Sequence, residues 1–136
     1  MTDMEFLKNL TDIVGEGNVL LDEPMSKHTT FKVGGKTKYM IEPTSVAVLC
    51  EVLDFLKFDS PYPYFVLGNG SNLLVKDGGI RGVVIKLELI DFKIKKMANE
   101  VLITVGSGMT LAALAAMALK EEMAGLEFLS GIPGTI

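Results

Sequence analysis

Clustered glycines are the feature of this sequence that most constrains its fold. Eight of the fourteen glycines fall in four short groups that interrupt otherwise regular apolar patterns. Glycine accepts positive φ and lets the backbone approach a neighbouring chain or a ligand closely. The four groups are therefore the first candidates for a binding site: Gly34-Gly35, Gly68–Asn72, Gly106–Gly108 and Gly131–Gly134.

The composition excludes several classes of protein. Hydrophobic residues make up 49% of the 136 residues, which is enough apolar surface for a packed core of one domain or two small lobes. The longest apolar run has nine residues, Leu111–Leu119, and a bilayer span needs about 20. Cys50 is the single cysteine, and the net charge of −4 lacks the basic footprint of a nucleic-acid-binding protein. No secretory signal is recognisable, so we expect a cytoplasmic protein with neither nucleic acid nor a membrane as partner.

The first half of the chain has alternating helix and strand patterns. Apolar residues at three-to-four spacing predict helices over 3–14 and about 45–58, the second capped by Thr44. Strands are expected at Lys38–Glu42 and, short and buried, at Tyr64–Leu67. A short extended piece is expected around Thr30–Val33. A strand, a helix and a strand of these lengths predict a small parallel βαβ lobe.

The second half alternates apolar and polar residues at period two. The alternation covers Gly82–Leu87, Ile90–Lys95 and Glu100–Val105, and it predicts an antiparallel meander with one covered face. Thr110 then caps a helix over about 111–123. The change of period near residue 68 indicates the boundary between two lobes.

Residues 66–75, VLGNGSNLLV, form the most specific of the glycine motifs. The motif has Leu73 where a dinucleotide fingerprint has its third glycine, and it leads into an expected strand, so it is not a Rossmann turn. Gly68 and Gly70 can instead let successive N–H groups form a concave nest for anionic oxygens. A valine at Gly70 is expected to abolish ligand binding by this nest while leaving the fold largely intact, because a Cβ would block close approach to the backbone. A plain connection between two lobes is the alternative.

The other three glycine groups predict different kinds of site. GGKT at 34–37 imitates the end of a P-loop, but the motif's earlier glycine is replaced by Thr30 and a strand follows. Gly106–Gly108 leads into the N-terminus of the predicted helix, which suits a phosphate, with an ordinary turn as the alternative. GIPGTI at 131–136 ends the sequence in mid-motif. Two or three nests on an acidic chain favour a pyrophosphate held by backbone dipoles, as in FAD.

Residues for acid–base or metal chemistry are scarce. His28 is the only histidine and is interpreted as a loop residue, so a histidine metal site is excluded. Cys50 is interpreted as buried filler in its helix, and Arg81 as an exposed residue in the loop before a strand. No catalytic residue and no metal ligand is therefore assigned.

Three stretches together resemble a known family: TTFKVGG at 29–35, VLGNGSNLLVKDGGIRGVVI at 66–85 and VGSGMTLAALAAMALKEEMAGLEFLSGIPGTI at 105–136. They are similar to the amino-terminal part of the UDP-N-acetylenolpyruvoylglucosamine reductase family of flavoenzymes. The resemblance implies an α+β fold, a two-lobed FAD-binding domain of the vanillyl-alcohol-oxidase (PCMH) type. A small βαβ lobe over 1–67 would precede a truncated, mainly antiparallel lobe with helices over 68–136, with the substrate-binding domain absent.

The resemblance also implies an activity. NADPH would reduce FAD, which would pass the hydride to the enolpyruvyl ether of a UDP-sugar and yield UDP-N-acetylmuramate, a cytoplasmic step of peptidoglycan precursor synthesis. The family's catalytic residues lie further downstream, so this chain is expected to be inactive alone, and the UDP-sugar to bind only the full-length enzyme. A stand-alone FAD- or nucleotide-binding module without catalysis is the alternative.

The resemblance assigns cofactor contacts to three of the glycine groups. Thr30 and Phe31 match an early Thr-Phe signature of structural or cofactor-adjacent role. The implied FAD-binding residues are Gly68, Asn69, Gly70, Ser71, Asn72, Leu73, Gly106, Ser107, Gly108, Gly131, Ile132, Pro133, Gly134 and Thr135.

Overall fold

The fold combines three α-helices with six strands in two sheets. The computed structural model describes all 136 residues, Met1 to Ile136. The helices are α1 Asp3–Val14, α2 Val46–Phe58 and α3 Leu111–Lys120. The strands are β1 Val19–Pro24, β2 Lys36–Ile41, β3 Tyr64–Leu67, β4 Ile80–Lys86, β5 Phe92–Lys96 and β6 Val101–Val105. Four strands form a mixed sheet in the order β1-β2-β4-β3, and β5 and β6 form a separate hairpin.

The helix ends follow from local capping. Thr2 and Glu5 form a reciprocal capping box at the start of α1, and Gly15 ends that helix at φ +88°. Ser45, not the predicted Thr44, is the N-cap of α2, and its hydroxyl accepts a hydrogen bond from the Val48 N–H at 3.2 Å. Both hydroxyl residues suit the position, so the sequence alone does not separate them.

The four-stranded sheet is covered on both faces at its centre. Helices α1 and α2 pack on one face, where the Phe6 ring is fully buried 5.1 Å from the Tyr39 ring. Alternate side chains of β2 and β4 point to the opposite face, where Met40 and Val84 are fully buried with Met25. The two clusters hold the carboxyl ends of the parallel strands in place.

The assignment of Gly82–Leu87 to an antiparallel meander is wrong. Strand β4 pairs in parallel with β2 through Met40 and Val84 and in parallel with β3 through Phe65 and Val84. Val84 and its two neighbours are all fully buried, which is typical of a strand inside a parallel sheet. The division of the chain between residues 67 and 68 stays a prediction, and this pairing favours a boundary after β4.

Other local predictions also need correction. Strand β3 is an edge strand in which only Leu67 is buried, and residues 73–75 form no strand. Strand β1 has no counterpart among the predictions, and the expected extended piece at Thr30–Val33 begins as a turn. Cys50 is exposed on the outer side of α2, because Val52 and Leu56 are the residues that face the core.

The hairpin of β5 and β6 confirms two of the predicted antiparallel strands, with Phe92 opposite Val105. Its expected covered face is only partly covered: Ile94, Ile103 and Val105 are half-buried on that face, and Phe92 beside them is about half exposed. Thr110 caps α3 as predicted, by accepting from the Ala113 N–H at 3.2 Å, but the helix ends at Lys120. None of the helices has the length and apolar character needed to cross a bilayer.

Candidate functional site

The parallel strands bring three chain segments to one edge of the sheet. Strands β2, β3 and β4 end there, so Glu42, Gly68 and the end of β4 at Lys86 lie at the same edge. Ligands of open α/β sheets bind outside the carboxyl ends of such strands. A cavity of about 350 Å³ opens at this edge. Its walls are Lys27, His28, Thr29, Thr30, Gly68, Asn69, Lys86, Leu87, Glu88, Gly108, Thr110 and Thr135.

The loop after β3 presents free backbone donors at this cavity. None of the six consecutive N–H groups from Gly68 to Leu73 donates a hydrogen bond within the chain. Backbone donors are ordinarily paired with protein or with water, so a run of six is a ready binding surface for an acceptor. Successive amides in such a turn bind anionic oxygens.

A close backbone contact within the chain requires a glycine at position 70. Its φ is +63°, and an ideal Cβ there would lie 2.1 Å from the carbonyl oxygen of His28. The Thr30 N–H donates to the Gly70 carbonyl at 3.1 Å and fixes the two segments together. The expectation that a valine at Gly70 would leave the fold largely intact is therefore wrong, because the branched side chain meets the backbone of residues 28 and 29 first.

The C-terminal segment closes against the same loop. The Leu111 N–H donates to the Gly134 carbonyl at 3.0 Å, and the Ile136 N–H donates to the Met109 carbonyl at 3.1 Å. These bonds hold Thr135 so close to Gly68 that an ideal Cβ on Gly68 would lie 2.2 Å from the Thr135 hydroxyl oxygen. Three of the four glycine groups thus converge, and their binding of FAD stays a prediction.

Only four of the fourteen predicted cofactor residues line the cavity itself. These are Gly68, Asn69, Gly108 and Thr135. The other ten are not among its lining residues: Gly70, Ser71, Asn72, Leu73, Gly106, Ser107, Gly131, Ile132, Pro133 and Gly134. Gly106 is required by close packing, because an ideal Cβ would lie 2.2 Å from the Leu89 carbonyl oxygen.

The fourth glycine group lies away from the cavity. An ideal Cβ on Gly35 would lie 2.0 Å from the Asp77 carbonyl oxygen, so this glycine serves the packing of the 75–79 loop. Strand β2 follows it directly, as expected for a sequence that is not a P-loop. Of the Thr-Phe signature, Thr30 lines the cavity and Phe31 is exposed.

Several cavity residues were missed by the sequence interpretation. They are Lys27, Thr29, Lys86, Leu87 and Glu88, and His28 was treated only as a loop residue. Residues 86–88 could have been predicted from their position directly after a buried strand, since the carboxyl ends of parallel strands meet at one edge of a sheet. They were missed because that strand was assigned to an antiparallel meander.

The cationic side chains at the cavity are already paired. The Lys86 ammonium lies 2.5 Å from a Glu88 oxygen and 3.3 Å from a Glu42 oxygen. Partial burial acts to lower the pKa of Lys86, but the hydrogen bonds to Glu88 and Glu42 outweigh it and raise that pKa. Neutralised in this way, Lys86 adds little net positive charge for an anionic ligand.

A second paired group involves the lining residues Lys27 and His28. A Glu23 oxygen is 2.9 Å from Nε2 of His28 and 3.2 Å from the Lys27 ammonium. The hydrogen bond from His28, with a smaller contribution from Lys27, lowers the pKa of the Glu23 carboxyl below its ordinary value. Glu23 therefore stays ionised and keeps both neighbours in place near neutral pH.

Remote residues contribute no chemistry to this cavity. Arg81, the only arginine, lies in β4 rather than in a loop, at the opposite end of that strand from Lys86. No group of three or more His, Cys, Asp or Glu side chains is placed to hold a metal ion.

Comparison with known proteins agrees with this geometry. Residues 37–136 match the family model described as "FAD binding domain", and the chain belongs to that family of FAD-binding domains. Within it, the chain is 48% identical over 132 residues to the UDP-N-acetylenolpyruvoylglucosamine reductase of Clostridium botulinum and 43% identical over 136 residues to that of Clostridioides difficile. These matches cover 96% and 100% of this chain but 42% and 44% of the two enzymes.

A solved structure supports the same relation. The crystal structure of the UDP-N-acetylenolpyruvylglucosamine reductase (MurB) from Thermus caldophilus matches 85% of this chain and 38% of its own chain, with a TM-score of 0.63 and 32% identity. The resemblance stated from the motifs and the α+β fold class are thereby confirmed. The chain spans less than half the length of the curated relatives it matches.

Proposed function

We propose that this chain forms the FAD-binding part of an oxidoreductase that uses NADPH to reduce the enolpyruvyl ether of UDP-N-acetylenolpyruvoylglucosamine, in the cytoplasmic synthesis of peptidoglycan precursors. One observation carries the proposal: a loop of six consecutive unpaired amides begins in the wall of a cavity, at Gly68 and Asn69, in a chain of the FAD-binding family. The names of the relatives supply the substrate.

The loop Gly68–Leu73 is proposed to hold the diphosphate bridge through its N–H groups. The N-terminal end of α3, reached through Gly108 and Thr110, adds the partial positive charge of a helix start. Thr135 closes the cavity from the C-terminal segment. When bound, FAD supplies hydride-transfer chemistry, and the residues of this chain bind and orient the cofactor.

The size of the cavity agrees with a bridge-binding role. A volume of about 350 Å³ lies at the lower end of the range of about 300–1,000 Å³ for small-molecule sites. Such a cavity suits the diphosphate and an adjoining sugar, with the rest of the cofactor outside it. The pairing of Lys86 with two glutamates leaves the attraction chiefly to the backbone.

Catalysis by this chain alone is not expected. None of its residues is assigned a catalytic role, and the resemblance implies that the family's proton donor and substrate-orienting residues lie further downstream. We infer that the chain binds FAD without turning over the UDP-sugar. A stand-alone FAD-binding module, the alternative function, would also bind FAD and show no turnover.

Binding is tested by titrating the apo chain with FAD, with ADP and with riboflavin, which lacks the diphosphate, and following flavin fluorescence and calorimetric heat. FAD and ADP are expected to bind and riboflavin to bind far more weakly. Gly68→Ala should weaken FAD binding, whereas Gly78→Ala should not, because an added Cβ at Gly78 meets no atom within 4 Å. Equal affinity for FAD and riboflavin would contradict the diphosphate assignment, and absence of FAD binding would overturn the proposal.

Turnover is tested separately with NADPH and the UDP-sugar, by following NADPH absorbance. We expect no turnover by the FAD-loaded chain. Steady NADPH oxidation dependent on the UDP-sugar would contradict the inferred inactivity and would place catalytic groups within these residues.

A further inference from the structure

Glu88 is the one acidic residue that lines the proposed cofactor cavity, and its side chain is 59% exposed. A carboxylate repels a diphosphate, so this group is unfavourable in a site that serves an anion alone. The binding proposed above uses backbone donors and gives the Glu88 carboxylate no role. Its presence points to a part of the ligand that donates hydrogen bonds.

The direction of β4 brings this carboxylate to the cavity. Side chains alternate between the two faces of a strand, so Lys86 points to the same face as the fully buried Val84. The Lys86 ammonium lies 2.5 Å from a Glu88 oxygen, which holds the carboxylate on that face as well. Met25 is buried in one cluster with Val84, and the cavity residues 27–30 follow Met25 in the chain.

The backbone around Glu88 is bonded to both segments that are proposed to receive the diphosphate. The Leu87 N–H donates to the Leu67 carbonyl at 2.9 Å, directly before the amide-bearing loop. The Gly108 N–H donates to the Leu89 carbonyl at 2.8 Å, in the turn that leads to α3. An ideal Cβ on Gly108 would lie 2.7 Å from the Cα of Glu88, so this turn packs closely on the residue itself.

The Glu88 carboxylate keeps acceptor positions free for a ligand. Lys86 is the only group of the chain that contacts it, through Oε1, whereas an ionised carboxylate has about four lone-pair positions. In dinucleotide sites a carboxylate of this kind binds the hydroxyl groups of a ribose. FAD carries neighbouring hydroxyls on both sides of its diphosphate, on the ribose of the adenosine half and on the ribityl chain of the flavin half.

We propose that Glu88, oriented by Lys86, is a specificity-determining residue that accepts hydrogen bonds from neighbouring hydroxyl groups of a cofactor sugar next to the diphosphate. This inference rests on the proposed function, which takes FAD as the ligand. It divides recognition between two parts of the wall: the amides of the loop bind the diphosphate, and the carboxylate selects a sugar that bears hydroxyls. A ligand without them leaves the carboxylate beside an anion with no donor in return.

The expected discrimination follows from the strength of a hydrogen bond to a charged group. Such a bond changes affinity by roughly 10-fold to 150-fold. Water competes at the exposed carboxylate of Glu88, so the lower end applies. ADP should therefore bind about tenfold more tightly than 2′,3′-dideoxy-ADP, which has the same diphosphate and base but neither ribose hydroxyl.

The test is calorimetric titration of the full chain with ADP, 2′,3′-dideoxy-ADP and FAD. Glu88→Ala should bind the two ADP analogues equally, and Glu88→Gln, which keeps one acceptor oxygen without the charge, should retain about a threefold preference. Glu51→Ala removes an exposed carboxylate on α2 and should keep the wild-type preference. The ratio of affinities is the readout, because loss of the Glu88 carboxylate also frees Lys86 and strengthens binding of every diphosphate alike. Circular dichroism checks that each variant is folded.

The same titrations distinguish the two sugars of FAD. A preference for ADP over its dideoxy analogue that Glu88→Ala abolishes assigns the contact to the adenosine ribose. Equal binding of the two analogues by wild type, with Glu88→Ala weakening FAD about tenfold relative to ADP, assigns it to the ribityl chain. FAD binding in which neither comparison depends on Glu88 overturns the inference and leaves the proposed function standing. Absence of FAD binding overturns both.

Discussion

Replacing Gly70 with alanine gives the sharpest test of how the amide-bearing loop is built. At φ +63° an alanine adopts a left-handed conformation that costs about 1–2 kcal/mol. Its Cβ would also start 2.1 Å from the His28 carbonyl oxygen, well inside the 3.0 Å below which neighbouring atoms must shift. Overpacking of this kind costs about 1–3 kcal/mol, so the two effects together lower the free energy of unfolding by about 2–5 kcal/mol.

The chain offers two matched controls for this substitution. Gly17 has φ +88° and no atom within 4 Å of an added Cβ, so Gly17→Ala isolates the conformational cost. Gly78 has open space and no positive φ, so Gly78→Ala should be nearly neutral. Urea denaturation followed by circular dichroism measures all three. If Gly70→Ala destabilises no more than Gly17→Ala, the packing of Gly70 on His28 is refuted.

Three further outcomes are expected from urea denaturation. Phe6→Ala removes a fully buried ring from the contact of α1 with the sheet and should lower the free energy of unfolding by about 3–5 kcal/mol; a loss below 1 kcal/mol contradicts that packing. Thr110→Ala removes the cap of α3 and should lower it by about 1 kcal/mol, whereas Thr110→Ser should restore most of the loss. His28 holds the pKa of Glu23 below its ordinary 4.5, so this carboxylate stabilises the fold above pH 4.5 and loses that contribution as pH falls through its lowered pKa. Glu23→Gln should therefore destabilise at pH 6 and much less at pH 3, and an equal loss at both pH values contradicts the pairing.

The sequence was sufficient for those parts of the fold that local rules determine. The stripe of apolar residues in α1, the Thr110 cap of α3 and the hairpin of β5 and β6 each follow from spacing within one segment. Pairing between distant strands does not follow from spacing. The residues of β4 fit both an alternating and a continuously buried pattern, and only the fold shows that Val83, Val84 and Ile85 are all buried between parallel neighbours.

The candidate site shows the same limit. Three glycine groups were chosen from the sequence, and the structure brings them together because Gly68 follows β3 while Gly134 binds the start of α3. The motifs could not separate a glycine that faces a cavity, such as Gly68, from one required by chain packing, such as Gly106. The wall formed by His28 and Lys86 was missed because it depends on where β1 and β4 end in the sheet.

The most direct test of the account is a crystal structure of the chain with bound FAD. The account predicts that the oxygens of the diphosphate bridge accept hydrogen bonds, at about 2.7–3.2 Å, from backbone nitrogens of residues 68–73. A diphosphate bridge held by lysine side chains, or bound away from this loop with these amides facing only solvent, would contradict the central claim.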